Sequence, residues 1–242
     1  MRIFRELTSE EQEKIISSKR LRSSDRNNQI DYTNADLSGK DFSGSCLHEV
    51  DLSRSNLRGA NFSGCDLSFA QFYFADLRGA NFEGAKMFRT SFLFAHLCGA
   101  NIKDAKLQKN DFTGASMRRV DFRNMDLRYI NFKKSCLDGA NFSGSDLTQA
   151  SFSEAALRGA NFSSADLRNA DFSRANLYSA NFSGANFSGA SFFGAGLKFA
   201  NLSKINLLNA DFQCSVLSGA DLKDCDFKRA IFNGCNFNGA IL

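Results

Sequence analysis

The sequence predicts an all-β solenoid whose coils have four sides, and three observations predict it. First, every residue from Tyr32 to Leu242 whose number ends in 2 or 7 is Leu, Phe, Met, Ile or Tyr, 43 positions without a break. Second, the position two before these is mostly small, and Ala holds 26 of the 42 such positions from 35 to 240. Third, the large residues alternate: Phe takes 16 of the 22 positions ending in 2, and Leu takes 16 of the 21 ending in 7.

A period of five fits neither the 3.6 of a helix nor the 2 of a flat strand. The small and the large residue, two apart, point to one side of a short extended segment. The next small residue comes three later, so the chain must turn once per pentad to keep both inward. Seventeen of the 18 Gly stand two after a large residue, for example Gly59, Gly64, Gly139 and Gly184. That is the third position of a turn, where a type II turn needs positive φ. Corners without Gly, such as Phe74 and Arg119, are expected to use a turn with negative φ. The alternation of Phe and Leu repeats every two pentads, which divides a coil of four pentads but not one of three. Four sides therefore stack like on like, with Phe columns on two opposite faces. The 211 residues in register make about 10.5 coils, roughly 50 Å at the usual strand spacing.

Runs such as Ala60-Asn61-Phe62-Ser63-Gly64 and Ala165-Asp166-Leu167-Arg168-Asn169 resemble the pentapeptide-repeat family, whose motif is A(D/N)LxX. The resemblance covers residues 32–242, about 87% of the chain. It implies a right-handed quadrilateral β-helix. It also implies that gyrase protection by imitation of duplex DNA, known for some members, has to be weighed.

The chain divides into an N-terminal segment, residues 1–30, and the β-helix, residues 31–242. Thr8 and Glu11 read as a capping box opening a short helix from about Ser9 to Ser18. Ile15 and Ile16, with Leu7 before them, would cover the open first coil. The rival reading is a basic arm carrying Lys19, Arg20, Arg22 and Arg26. At the other end, Ile231 and Ile241 replace the usual outward Asp or Asn. With Phe232, Phe237 and Leu242 they suggest an end-to-end contact between two copies, a homodimer; a frayed last coil is the alternative.

Catalytic equipment is sparse. The chain has 26 Phe, no Trp, no Pro and 2 His, and its net charge is +4. His48 and His96 fall on different faces more than two coils apart, so no base–nucleophile pair is visible. The repeated carboxylates occupy the scaffold position between Ala and Leu. The Gly-rich run from Gly184 to Gly194 is a series of corners and not a phosphate loop. No enzyme activity and no cofactor or metal is expected. The seven Cys do not pair by column arithmetic, so no disulfide is expected and a reducing, cytoplasmic setting is implied. Cys65, Cys225 and Cys235 read as small core residues. No apolar run approaches the length of a membrane span, and Met1 to Leu21 has no apolar secretory region.

Departures from the repeat lie on the surface. Six Phe face outward: Phe69, Phe74, Phe88, Phe94, Phe193 and Phe199. Column arithmetic stacks Phe74 over Phe94 and Tyr73 over Leu93, with Phe69 and Phe88 across one corner. Such a patch reads either as a surface for a protein partner or self-association, or as large corner residues covering neighbouring coils. Just beyond lies a basic belt of Lys103, Lys106, Lys109, Arg118, Arg119, Arg123, Arg128, Lys133 and Lys134. The belt could take an acidic partner. Its charges go to all four sides, however, which favours a solvated belt and speaks against nucleic acid. Asn110, Val120, Met125 and Ile130 point inward where Ala is the rule. The leading functional reading is a non-enzymatic scaffold for protein–protein interaction, its partner unidentified. The alternatives are a DNA-mimic modulator of DNA gyrase or topoisomerase, and a bacterial effector acting on host proteins. A net charge of +4 argues against mimicry unless one face is locally acidic.

Overall fold

The computed structural model describes residues 32–242. The capping helix and basic arm expected before Ile30 lie outside the described residues. The chain divides into two compact units at Ser116 and Met117.

In the first unit, residues 32–116, residues at the outward Asp/Asn position bridge in parallel to those four pentads on, from Asp36↔Asn56 through Asn56↔Asp76 and Asp76↔His96 to His96↔Ser116. The coil is therefore four pentads long, as the Phe/Leu alternation required. Leu37 donates its N–H to Asn56 O at 2.8 Å, and Asn56 returns one to Ala35 O at 2.9 Å. Two named strands, β1 (Lys86–Phe88) and β2 (Lys106–Gln108), pair in parallel with Lys86 opposite Lys106. Phe42, Phe62 and Phe82 form one inner column, with centroids 5.0 and 5.1 Å apart. Phe72, Phe92 and Phe112 form a second, at 5.1 and 4.9 Å. Rings of the two columns meet edge to face, as in Phe62–Phe72 at 5.7 Å.

The second unit, residues 117–242, repeats the scheme. Phe122, Phe142, Phe162 and Phe182 stack at 4.7–4.9 Å. Phe132 to Phe232 form an unbroken run of six rings, 4.7–5.1 Å apart. The large residues are buried as far as Leu222, while Phe227 and Leu242 are exposed.

The corners correct one expectation. Positive φ occurs at all 42 corner positions, of which 17 are Gly and 25 are not. Phe74 has φ 56° and Arg119 has φ 58°, so neither uses the negative-φ turn expected of it. The reason lies in the ladder. Corner N–H groups reach the coil above: Phe74 donates to Leu93 O at 3.0 Å and Arg119 to Asp138 O at 3.1 Å. A corner of another type would misdirect that donor and leave it unpaired. Holding an L-residue in the left-handed region costs about 1–2 kcal/mol. No corner is Val, Ile or Thr, the residues for which φ > 0 is worst.

Polar residues at the small position are satisfied by a turn carbonyl, of their own turn in Ser135 and Ser145 and of the turn beneath in others. Cys65 Sγ donates to Phe42 O at 2.8 Å, and Thr90 Oγ1 to Leu67 O at 2.8 Å. Asn110 Nδ2 reaches Met87 O and Thr90 O. Val120 and Ile130 are buried, while Met125 is half-buried.

Candidate functional site

The outer wall of the first unit carries the apolar patch as two ring clusters. In one, Tyr73, Phe74 and Phe94 meet. Phe74 and Phe94 stack at 5.1 Å with 18° between planes, and Tyr73 lies 4.3 Å from Phe74 and 6.0 Å from Phe94. In the other, Phe69 packs edge-on against Phe88 at 5.2 Å, and His48 tilts onto Phe69 at 5.3 Å. Arg89 lies over Phe88 at 5.7 Å. Phe69, Tyr73, Phe74, Phe88 and Leu93 are half-buried, and Phe94 is 40% exposed. Phe69, Phe74 and Phe94 all sit at positive φ. The ring of Phe94 rests on the next corner, Gly114, where an added Cβ would come within 2.4 Å of it. Gly114 thus has a packing reason to be Gly beyond its φ.

The basic residues go to different faces and are largely engaged. Lys103, in the first unit, is exposed. In the second unit Arg118 Nε donates to Cys136 Sγ at 3.0 Å. Arg123 pairs with Asp121 and Arg128 with Asp126, each at 2.7 Å. Lys133 and Lys134 share Glu154 at 3.8 and 3.6 Å. The guanidinium hydrogen bonds hold Asp121 and Asp126 below the ordinary carboxylate value. Arg119 is exposed at its corner.

The densest acidic column, Asp126, Asp146 and Asp166 in successive coils, is matched by arginine. Arg168 holds Asp166 at 2.7 Å, and Arg128 Nε also lies 3.7 Å from Asp146. That column does not present a free row of negative charge.

The remaining residues of interest are spread along the chain. Ile231, Ile241 and Leu242 are exposed, and Phe232 and Phe237 are half-buried. His48 approaches Glu49 at 3.8 Å and His96 is exposed. All seven cysteines are free, and burial pushes the Cys65 thiol up to about 11. Among the described residues no group of His, Cys, Asp and Glu is arranged to hold a metal, and no helix is long and apolar enough to cross a membrane.

Phe positions alone do not reveal one further cluster. In the second unit Arg158 lies over Tyr178 at 5.5 Å, Tyr178 meets Phe199 edge-on at 5.6 Å, and Lys198 lies over Phe199 at 5.0 Å. A signal for it is present in the sequence: Ala156, Gly196 and Val216 stand where Asp or Asn is the rule.

A coil of four pentads with four left-handed corners, bridged in parallel through its Asp/Asn positions, defines a β-solenoid. The chain belongs to the pentapeptide-repeat family: eight copies of the family's repeat model match between residues 33 and 242, and a pentapeptide repeat region model matches 71–142. Among solved structures it is similar to HetL, a pentapeptide repeat protein involved in heterocyst differentiation regulation from the cyanobacterium Nostoc sp. strain PCC 7120. The identity is 22%, covering 97% of this chain and 94% of that one, with a TM-score of 0.51. A trypsin-treated variant of QnrB1, a plasmid-mediated fluoroquinolone resistance protein, matches at 23% identity over 68% of this chain and 78% of that one, TM-score 0.45. A pentapeptide repeat protein of the Arabidopsis thaliana thylakoid lumen matches at 32% identity over 52% and 70%, TM-score 0.23. No curated protein matches significantly. The likeness to HetL shows the fold alone.

Proposed function

We propose that this protein is a non-enzymatic scaffold of right-handed four-sided coils whose role is to bind another protein through the aromatic wall of its first unit. The observation that carries this reading is the Phe74–Phe94 stack at 5.1 Å on two left-handed corners, with Phe94 40% exposed. Gly at those corners would relieve the backbone strain. Bulky apolar side chains held there against that strain, and left in part facing water, fit a surface shaped for contact. The partner is a second protein or a second copy of this chain. The exposed Ile231, Ile241 and Leu242, with the half-buried Phe232 and Phe237, are a further candidate contact between copies. A cytoplasmic setting accords with free thiols that serve as hydrogen-bond donors to the turn beneath, such as Cys65 and Cys235. The gyrase alternative is disfavoured by the Arg-matched Asp column.

The test replaces Phe74 and Phe94 by Ser together. The variant is expected to keep its circular dichroism spectrum and to lose both the self-association read by analytical ultracentrifugation and capture of the partner from native extract. An unchanged oligomeric state together with unchanged partner recovery sinks the reading. Gyrase supercoiling in the presence of a quinolone is expected to be unaffected by the wild-type chain.

A further inference from the structure

The second unit carries a different surface, independent of the aromatic wall above. In one column, Arg158, Tyr178 and Lys198 follow one another in successive coils, all exposed. Phe199 stands at the adjoining corner with φ 60°, 50% exposed, its ring laid over Gly219, where a Cβ would come within 2.5 Å. Beside this column the stacked bridges Ala156↔Asn176, Asn176↔Gly196 and Gly196↔Val216 form a floor without a carboxylate. Val216 on that floor is 40% exposed and Tyr178 39%. The guanidinium of Arg158 and the ammonium of Lys198 lie on the rings of Tyr178 and Phe199 at 5.5 and 5.0 Å, so rings and cations form one surface.

We infer that this face docks an acidic polyproline II segment of a partner protein, with proline rings on Tyr178 and Phe199 and carboxylates three residues apart on Arg158 and Lys198. Charge and spacing carry the inference. Arg158 and Lys198 are two coils apart, about 9.6 Å at the inter-strand spacing. A polyproline II helix returns to the same edge every three residues, about 9.3 Å. Flat exposed rings are the surface that such segments dock against. A single nucleic-acid strand asks instead for a continuous basic groove along its backbone, whereas here two cations are separated by a ring and the floor of Ala156, Asn176, Gly196 and Val216 carries no cation.

The probe is a fluorescein-labelled peptide of four Glu-Pro-Pro repeats, titrated with the full chain in low salt and read by anisotropy. Saturable binding that weakens with salt is expected. Tyr178→Ser with Phe199→Gly should weaken it roughly tenfold or more, as should Arg158→Gln with Lys198→Gln. Glycine suits the left-handed corner at 199, so the fold should survive, and unchanged thermal melts check this. Phe74→Ser with Phe94→Ser should leave this binding intact, which separates the two surfaces. A Gln-Pro-Pro peptide should bind roughly tenfold more weakly. The inference is overturned by absent binding, by equal binding of the Gln peptide, or by indifference to both variant pairs. It is also overturned if oligo-dT binds and the variants abolish that binding instead, which would make the face a nucleic-acid surface.

Discussion

In the first unit Phe62 and Phe82 stack at 5.1 Å with 8° between planes; in the second Phe142 and Phe162 stack at 4.9 Å with 3°. Inside, the two units are built to one rule. Outside they diverge. Three Phe corners in the first unit, Phe69, Phe74 and Phe94, give way early in the second to Arg119, Asn124, Tyr129 and Lys134 at the same kind of left-handed position, of which only Tyr129 bears a ring. A coil of fixed size constrains the inward positions to one volume. It leaves the outward side chains free, so departures there carry the information about partners.

The largest effect tests the shared core. Phe152 is sandwiched between Phe132 and Phe172 at 5.0 and 4.8 Å, while Phe72 stacks on Phe92 alone in its column, because Leu52 precedes it. Phe152→Ala and Phe72→Ala are each expected to destabilise by about 3–5 kcal/mol in denaturant unfolding. Phe152→Ala should lose more, by about 0.5–1.5 kcal/mol for the extra stacked partner. A smaller loss at Phe152 than at Phe72 would break the claim that ring columns stabilise both units alike.

An intermediate effect tests the corners. Gly84→Ala meets nothing within 4 Å and should cost only its left-handed φ, about 1–2 kcal/mol. Gly114→Ala in the first unit and Gly219→Ala in the second must also displace the rings of Phe94 and Phe199, at 2.4 and 2.5 Å. Each should lose about 1 kcal/mol more than Gly84→Ala. Equal melting temperatures for all three variants would show that neither ring rests on its corner in solution.

The fold was legible because the pattern is rigid: 43 apolar positions in one register leave no other period, and the bridge Asp36↔Asn56 measures the coil that the Phe/Leu alternation had implied. Corner geometry was not legible from Gly. Glycine at Gly59 or Gly64 suggested that positive φ follows glycine, whereas positive φ follows the ladder and is imposed on Phe74 and Arg119 as well. A better signal was the exclusion of Val, Ile and Thr from every corner. The Phe74–Phe94 stack could be read by counting in twenties. The Arg158–Tyr178–Lys198 column could not be read from Phe positions, since what marks it is the missing carboxylate at Ala156, Gly196 and Val216.

The smallest effect concerns the charged wall of the second unit. Asp121 accepts from Arg123, and Asp126 from Arg128, both pairs about half exposed. In each the guanidinium hydrogen bond is the main reason the carboxyl is held below its ordinary value. A carboxyl whose folded value lies below its unfolded value of about 3.9 contributes stability above that pH. The contribution is lost as pH falls from there through the folded value. Arg123→Gln should therefore raise the Asp121 value toward the ordinary range in a carboxyl NMR titration and leave Asp126 unmoved. Stability near neutral pH should change little, because exposed pairs are screened by water and salt. If Asp126 moved together with Asp121, the pairs would act as a linked network, and the second unit's wall would be a concerted charge surface instead of a set of local pairs.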